Sequence, residues 1–338
     1  MPLPPLWNDA LTVFVLGPGT GESVVVHAPY GAWMVVDSCR SGGRGLARRL
    51  LDHYEARPSL LALTHPHLDH ASGFSDLVNA FTKPGDSRWP KLGIVPSPDT
   101  KTADGSWDLE PALKSGQVQQ AIAAVLSRWE DRETSRWDMK QGDVEALGGA
   151  KVHVISPSPA ERAAARDAWN RGSDHDFNRA SSAFIVEWQG RTVLLGSDLV
   201  ENPGKGWSDA TAMFTQAVSH DVYKLAHHGS DGARGPQLGT ATATARVWIA
   251  TPFARQDLPT AQDLAPHLAI EPSVHLTGLP TRYDDQSSQH RTVAVGGLGA
   301  LHATPPPGGF PDCFVCVVVP QAGPCVVTCG SGAVTVTR

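Results

Sequence analysis

The run Thr64-His-Pro-His-Leu-Asp-His70, set directly behind the apolar tetrad Leu60-Leu-Ala-Leu63, restricts this chain more than any other feature. Four strong metal ligands, His65, His67, Asp69 and His70, crowd together at what reads as the end of a buried strand. In an extended segment residues i and i+2 face the same way, so His65 and His67 can converge on one ion. Asp69 and His70 fall where the chain turns into a helix and can face a second ion. Imidazole and carboxylate together suit Zn2+, Mn2+ or Fe2+. A His-rich surface loop is the plain alternative, but nothing about such a loop requires an apolar strand before it.

A motif this short cannot close two metal shells, so further ligands must come from elsewhere. The sequence repeats one arrangement at other apolar runs. Asp37 follows Val35-Val36, Asp198 follows Leu194-Leu-Gly-Ser197, and His227 and His228 follow Leu225-Ala226. Any one of these has an ordinary reading as a turn residue. Together they describe separate strands that each end in a ligand-type side chain, the way a layered sheet gathers a site along one edge.

The rest of the chain fits that picture. Period-two and continuous apolar patterns predict strands over 11–16, 23–27, 32–36, 60–63, 151–155, 182–188, 191–195, 223–226, 247–250 and 273–276. Helices are expected over 46–55, from about 73, over 115–137 and over 160–169. Gln189-Gly190 between two apolar strands is a hairpin signal. With 41% hydrophobic and 18% charged residues the chain can bury a large core. No linker or internal repeat divides it, so one domain is expected across 1–338. That domain would carry a variable helical segment around 81–149 and a small antiparallel β segment around 310–338. The formal net charge of −6 argues against a broad electrostatic grip on nucleic acid. The first residues show neither the positive nor the apolar region of a signal peptide, and no apolar run reaches membrane-spanning length. A cytoplasmic protein without a membrane partner is the expectation. Five cysteines, an odd count, argue against a disulfide framework. Cys313-x2-Cys316 and Cys325-x3-Cys329 have zinc-ribbon spacing but lie in Val-rich strands, which favours buried thiols over a metal site.

The run from Thr64 to His70 resembles the hallmark of the metallo-β-lactamase superfamily. Gly19-Thr-Gly-Glu-Ser-Val-Val-Val26 with Trp33-Met-Val-Val-Asp37 resembles the opening of the standalone relatives of the competence protein ComEC. Asn178, Ser181 and Ser182, then Gly196-Ser-Asp198 and Lys224-Leu-Ala-His-His-Gly-Ser230, resemble that subgroup's later motifs. The resemblance spans roughly residues 11 to 235 and implies a four-layer αββα sandwich. It also implies that His65 and His67 bind a first metal, Asp69 and His70 a second, and that Asp198 bridges them. One of His227 and His228 would complete the second set, with His227 preferred and His228 nearer the substrate. Asp37 would orient a metal-bound histidine.

The chain departs from the family at one point. No Gly-His-Ser turn supplies another first-metal histidine before Asp198. His175 and Asn178 are the candidates for that place, whereas His153 reads as structural. The expected cofactor is therefore two divalent ions, zinc or manganese, with a one-metal site as the alternative. A divalent ion brings bound water toward neutral pKa and polarises the bond under attack. Asp69 could take a proton from that water, and His228 or Lys224 could stabilise an oxyanion or protonate a leaving group. The leading expectation is a phosphodiesterase or nuclease acting on a nucleic acid or nucleotide. The rivals are hydrolysis of a small ester, lactone, thioester or amide, and a non-catalytic adaptor or sensor subunit with a protein partner.

Overall fold

The structure is a computed structural model that describes residues 3–41, 43–95, 115–132, 135–171, 176–235, 246–278, 291–296 and 312–338. Two mixed sheets lie face to face with helices outside them, an α/β sandwich. The first has eight strands in the order Val326–Cys329, Phe314–Pro320, Ala10–Leu16, Ser23–Ala28, Ala32–Val36, Leu60–Leu63, Lys91–Ile94 and Arg136–Trp137. The second has nine, in the order Arg291–Ala294, Val334–Thr337, Ser273–Leu276, Val247–Ala250, Val222–Lys224, Arg191–Leu195, Phe184–Trp188, Ala150–Val154 and Val144–Leu147.

Alternation along the strands shows how the layers form. In the second sheet Phe184, Val186, Val193 and Leu195 join the core shared with the first sheet. Their neighbours Ile185 and Leu194 face the other way, into a second core with Trp207, Leu264 and Leu268 of the helices Trp207–Met213 and Ala261–Leu268. A two-residue side-chain period therefore serves two apolar surfaces at once, and both faces of the strand must be hydrophobic. The hairpin pairs Trp188 with Arg191, and Gln189 (φ 50°) and Gly190 (φ 78°) both take the left-handed backbone of a tight two-residue turn.

The centre of each sheet is parallel. Ala32–Val36, Leu60–Leu63 and Lys91–Ile94 run together in the first, and Arg191–Leu195, Val222–Lys224, Val247–Ala250 and Ser273–Leu276 in the second. Parallel strands put their carboxyl ends along one edge, where open α/β sheets bind ligands. Asp37, His65, Asp198 and His227 all come just after such carboxyl ends.

The C-terminal segment differs from the sequence expectation. It forms no small sheet of its own. Phe314–Pro320 pairs with Ala10–Leu16 in the first sheet, and Val334–Thr337 inserts between Ser273–Leu276 and Arg291–Ala294 in the second. The cause is the unbroken Val-rich run, buried on both faces, which only a layered core can satisfy. The helix expected over 115–137 ends earlier, at Gly116–Asp131. Among the described residues no helix is long and apolar enough to cross a membrane.

Candidate metal centre

Asp37 sets up the centre from beneath. It leaves its strand with φ 58°, and its buried carboxylate accepts the Thr64 backbone N–H at 2.8 Å and the Thr64 hydroxyl at 2.7 Å. The same carboxylate lies 2.7 Å from His70 Nδ1. That contact places the His70 proton on Nδ1 and leaves the Nε2 lone pair facing inward. His70 Nε2 stands 3.3 Å from Asp198 Oδ1 and 3.5 Å from Asp69 Oδ2. His65 and His67 do face the same way, with His65 Nε2 3.0 Å from His67 Nδ1 and 3.7 Å from Asp198 Oδ2. Behind them Thr64, Ser181 and Ser197 form a buried hydroxyl chain, in which Ser197 donates to Thr64 at 2.6 Å and Ser181 to Ser197 at 2.8 Å. Ser181 Oγ also accepts the Asp198 backbone N–H at 3.2 Å, fixing the aspartate's position.

His228 closes the other side. Its Nδ1 lies 3.0 Å from the Thr251 carbonyl, and its Nε2 lies 3.0 Å from Asp69 Oδ2 and 4.0 Å from Asp198 Oδ2. Its ring stacks on Phe253, 4.9 Å between centroids. Two donor groups result, Glu22 with His70, Asp198 and His228, and His65 with His67 and Asp198; within each, the ligand atoms lie within 4.8 Å of one another.

Comparison with known proteins follows the geometry. The family model described as "Metallo-beta-lactamase superfamily" matches residues 16–234, more than half of the chain. The chain belongs to that superfamily. No curated protein matches it. Among solved structures, the metallo-beta-lactamase fold protein YhfI from Bacillus subtilis aligns at 14% identity and TM-score 0.36, over 64% of this chain and 70% of that one. A metallo-beta-lactamase from Staphylococcus aureus aligns at 14% identity and TM-score 0.32, over 62% of this chain and 51% of its own. A HARLDQ-motif mutant metallo-beta-lactamase from Cronobacter sakazakii aligns at 18% identity and TM-score 0.37, over 68% of this chain and 81% of its own.

The superfamily implies divalent metal, and this centre suits it on its own chemistry. Glu22, Asp37, Asp69 and Asp198 are buried carboxylates, against one buried ammonium, Lys224. With neutral imidazoles that is three negative charges in excess, an arrangement that costs many kcal/mol without cations. His70 Nε2 and Asp198 Oδ1 are buried with no hydrogen-bond partner, and both aim into the cluster. Burial pushes His65 and His67 below the usual histidine range, leaving neutral ligands. Burial also opposes charge on His70, but Asp198, Asp69, Asp37 and Glu22 outweigh it and hold His70 well above its usual range. His228 is raised in the same way, burial being overcome by Asp198 and Asp69. Asp198 is pulled well below the carboxylate range because the surrounding histidines outweigh the cost of its burial.

Two expectations change. The second group was to be completed by His227, but the geometry gives that place to His228. His227 stands on the other side of Asp198, partly exposed, with Nε2 3.3 Å from Asn178 Nδ2. Lys224 was a candidate oxyanion or proton donor. It is 1% exposed, ion-paired with Glu22, and donates to the Ser197 carbonyl at 3.2 Å, so its ammonium is fully engaged away from solvent. His153 lies on an outer strand, 3.2 Å from Glu187. His175 falls outside the described residues. Cys313 and Cys316 are buried, and all five cysteines are free thiols outside both donor groups.

Glu22 is the residue that sequence reasoning missed. Its carboxylate accepts the Thr251 hydroxyl at 2.7 Å and lies 3.9 Å from His70 Nδ1 and 3.7 Å from His228 Nδ1. Gly21 makes the approach feasible: at φ 143° a Cβ there would meet the Asp69 carbonyl at 2.1 Å. A lone acid after a Gly-rich turn carries no signal by itself. A lysine buried at the end of an apolar strand, Lys224, was the one available hint that an acid must lie opposite.

Proposed function

We propose that the protein is a metal-dependent phosphodiesterase acting on a nucleotide or nucleic acid. One observation carries this reading. A cleft of about 640 Å3 opens beside Asp69, lined by Arg40 and Arg255 together with Leu68, Gln117 and Phe253. Asp76 holds the Arg40 guanidinium at 2.7 Å, while Arg40 Nε has no hydrogen-bond partner. A guanidinium fixed at one nitrogen and free at another is suited to a phosphate oxygen. The resemblance to ComEC-like domains supports the same substrate class.

Bound divalent ions would supply a nucleophilic water at neutral pH and Lewis acidity toward the phosphoryl oxygens. The residues offered to hold them are His70, His228, Asp69 and Glu22 on one side, His65 and His67 on the other, with Asp198 between. Asp37 orients His70, and Thr251 orients His228. Asp69 borders both the cluster and the cleft, so its carboxylate is placed to accept the proton of the attacking water. Arg40 binds and orients the anionic substrate.

The apolar part of the cleft, Leu68, Phe253 and Ala254, favours the second reading, an acyl ester or amide substrate. Hydrolysis of bis(p-nitrophenyl) phosphate and p-nitrophenyl acetate by zinc- and manganese-loaded protein separates the two. Metal-dependent phosphodiester turnover, lost in His67→Ala, is expected. Acetate turnover alone would transfer the assignment to acyl chemistry. Turnover of neither by protein shown to hold metal would favour an adaptor.

A further inference from the structure

The two donor groups are unequal. Around His70 there are four residues besides Asp69, and around His65 only His67 and Asp198. Yet a fourth nitrogen stands at that poorer side. His227 Nε2 lies 4.0 Å from Asp198 Oδ2, the same separation as His228 Nε2 from that oxygen. The two histidines thus flank one carboxylate.

The backbone explains how neighbours in sequence achieve this. His227 (φ 46°) and His228 (φ 55°) are both in the left-handed region, where a non-glycine residue costs roughly 1–2 kcal/mol. Two successive left-handed residues swing the rings to opposite sides of Asp198. His228 lands against Asp69 and Phe253, and His227 against Asn178 and Ser230. The protonation of His227 also follows from its partners. Asn178 Nδ2, an amide donor, lies 3.3 Å from Nε2, so Nε2 carries the lone pair. The proton is then on Nδ1, donated to Ser230 Oγ at 3.2 Å. A ring whose Nδ1 proton is held by a hydroxyl and whose Nε2 is unprotonated is oriented as metal-ligating histidines are. Asn178 Oδ1, buried and without a partner, sits in the same corner.

We infer that His227 is a metal ligand through Nε2, completing the site formed by His65, His67 and Asp198, while His228 serves the site formed by His70, Asp198 and Glu22. The adjacent pair divides between the two ions, one histidine each. Asn178 positions the His227 ring. The assignment concerns metal and not substrate, so it stands or falls separately from the phosphodiester reading.

Cobalt(II) is the probe, titrated into full-length metal-free protein and followed by visible absorption and by bound-metal analysis. Wild type is expected to take two equivalents. His227→Ala should keep the tighter equivalent unchanged and weaken the other by about 100-fold or more. His227→Cys should restore the second equivalent and add a thiolate-to-cobalt charge-transfer band, which only a cysteine bound to the ion can give. Circular dichroism of the metal-free variants checks that each is folded. The cysteine band is decisive even if the alanine variant is not. Two equivalents bound by His227→Ala with wild-type affinity would overturn the assignment. So would two equivalents bound by His227→Cys without the band, or loss of one equivalent in His175→Ala and not in His227→Ala. A wild type that takes up no cobalt would overturn the metal-dependent reading as well.

Discussion

Around His70, the groups that brace the ligands are charged or carbonyl acceptors. Asp37 holds His70, the Thr251 carbonyl holds His228, and Lys224 holds Glu22. All of these are buried. Around His65 the support is softer. Thr64 and Ser181 hydroxyls lie 3.0 Å and 3.3 Å from its Nδ1, His67 is only partly buried, and the His227 side chain is 21% exposed. A carboxylate partner raises the basicity of a ligating imidazole and fixes its ring more firmly than a hydroxyl can. The comparison teaches that one chain can build a rigid metal position and a more adaptable one around a single shared aspartate. The rigid side should fill first, and the open side should respond to substrate.

Asp198 belongs to both sides, so its loss is the most severe test. Asp198→Ala should abolish metal-dependent hydrolysis, by at least roughly three orders of magnitude, since several kcal/mol of charge stabilisation depend on the ions. It should also lower uptake of both equivalents in bound-metal analysis. Retention of two tight equivalents would break the picture of a shared ligand.

Asp37→Asn sharpens the contrast. It removes the carboxylate from His70 alone, so affinity at the tight position should fall by about 10–100-fold while the weaker one barely changes, read by cobalt titration. Equal weakening of both would show that the two sides are not independently braced. Arg40→Ala acts on the cleft and not on either metal. A rise of about tenfold in KM for a phosphodiester, with unchanged metal content, is expected from loss of a charged hydrogen bond. An unchanged KM would remove Arg40 from substrate binding.

The smallest effect separates metal loss from unfolding in acid. His220 is buried behind the strand that leads to His227 and His228. Its Nδ1 lies 2.9 Å from the Ala217 carbonyl, and its Nε2 accepts the Trp248 N–H at 2.9 Å. Burial lowers its pKa from 6.5 to about 4. The folded protein keeps it neutral while the unfolded chain takes the proton first. The stability it allows is therefore complete above about pH 6.5 and declines as pH falls toward 4. Between pH 7.5 and 5.5 that decline is roughly 1 kcal/mol. Urea unfolding of metal-free protein should show it, and His220→Asn should reduce it. An equal decline in the variant would assign the acid sensitivity to other groups.

Much of this was legible before any coordinates. Thr64 to His70 announces a metal-ligating loop because ligands spaced at i and i+2 behind an apolar strand can converge with no help from the rest of the fold. Asp37, Asp198 and the His227-His228 pair were identifiable as strand ends, and the Gln189-Gly190 hairpin from local turn chemistry. The placement of the C-terminal strands was not legible. A Val-rich run specifies burial on both faces but not which sheet will bury it.

The sequence by itself determined that this chain gathers histidines and aspartates at the carboxyl ends of parallel strands, because side-chain spacing and hydrophobic period are local properties. Only the tertiary structure decided that Glu22 joins them, that Lys224 is spent neutralising it, and that His227 and His228 part to opposite sides of Asp198. Those outcomes depend on burial and on left-handed backbone angles, which are set by segments far apart in the chain that meet only when the two sheets close.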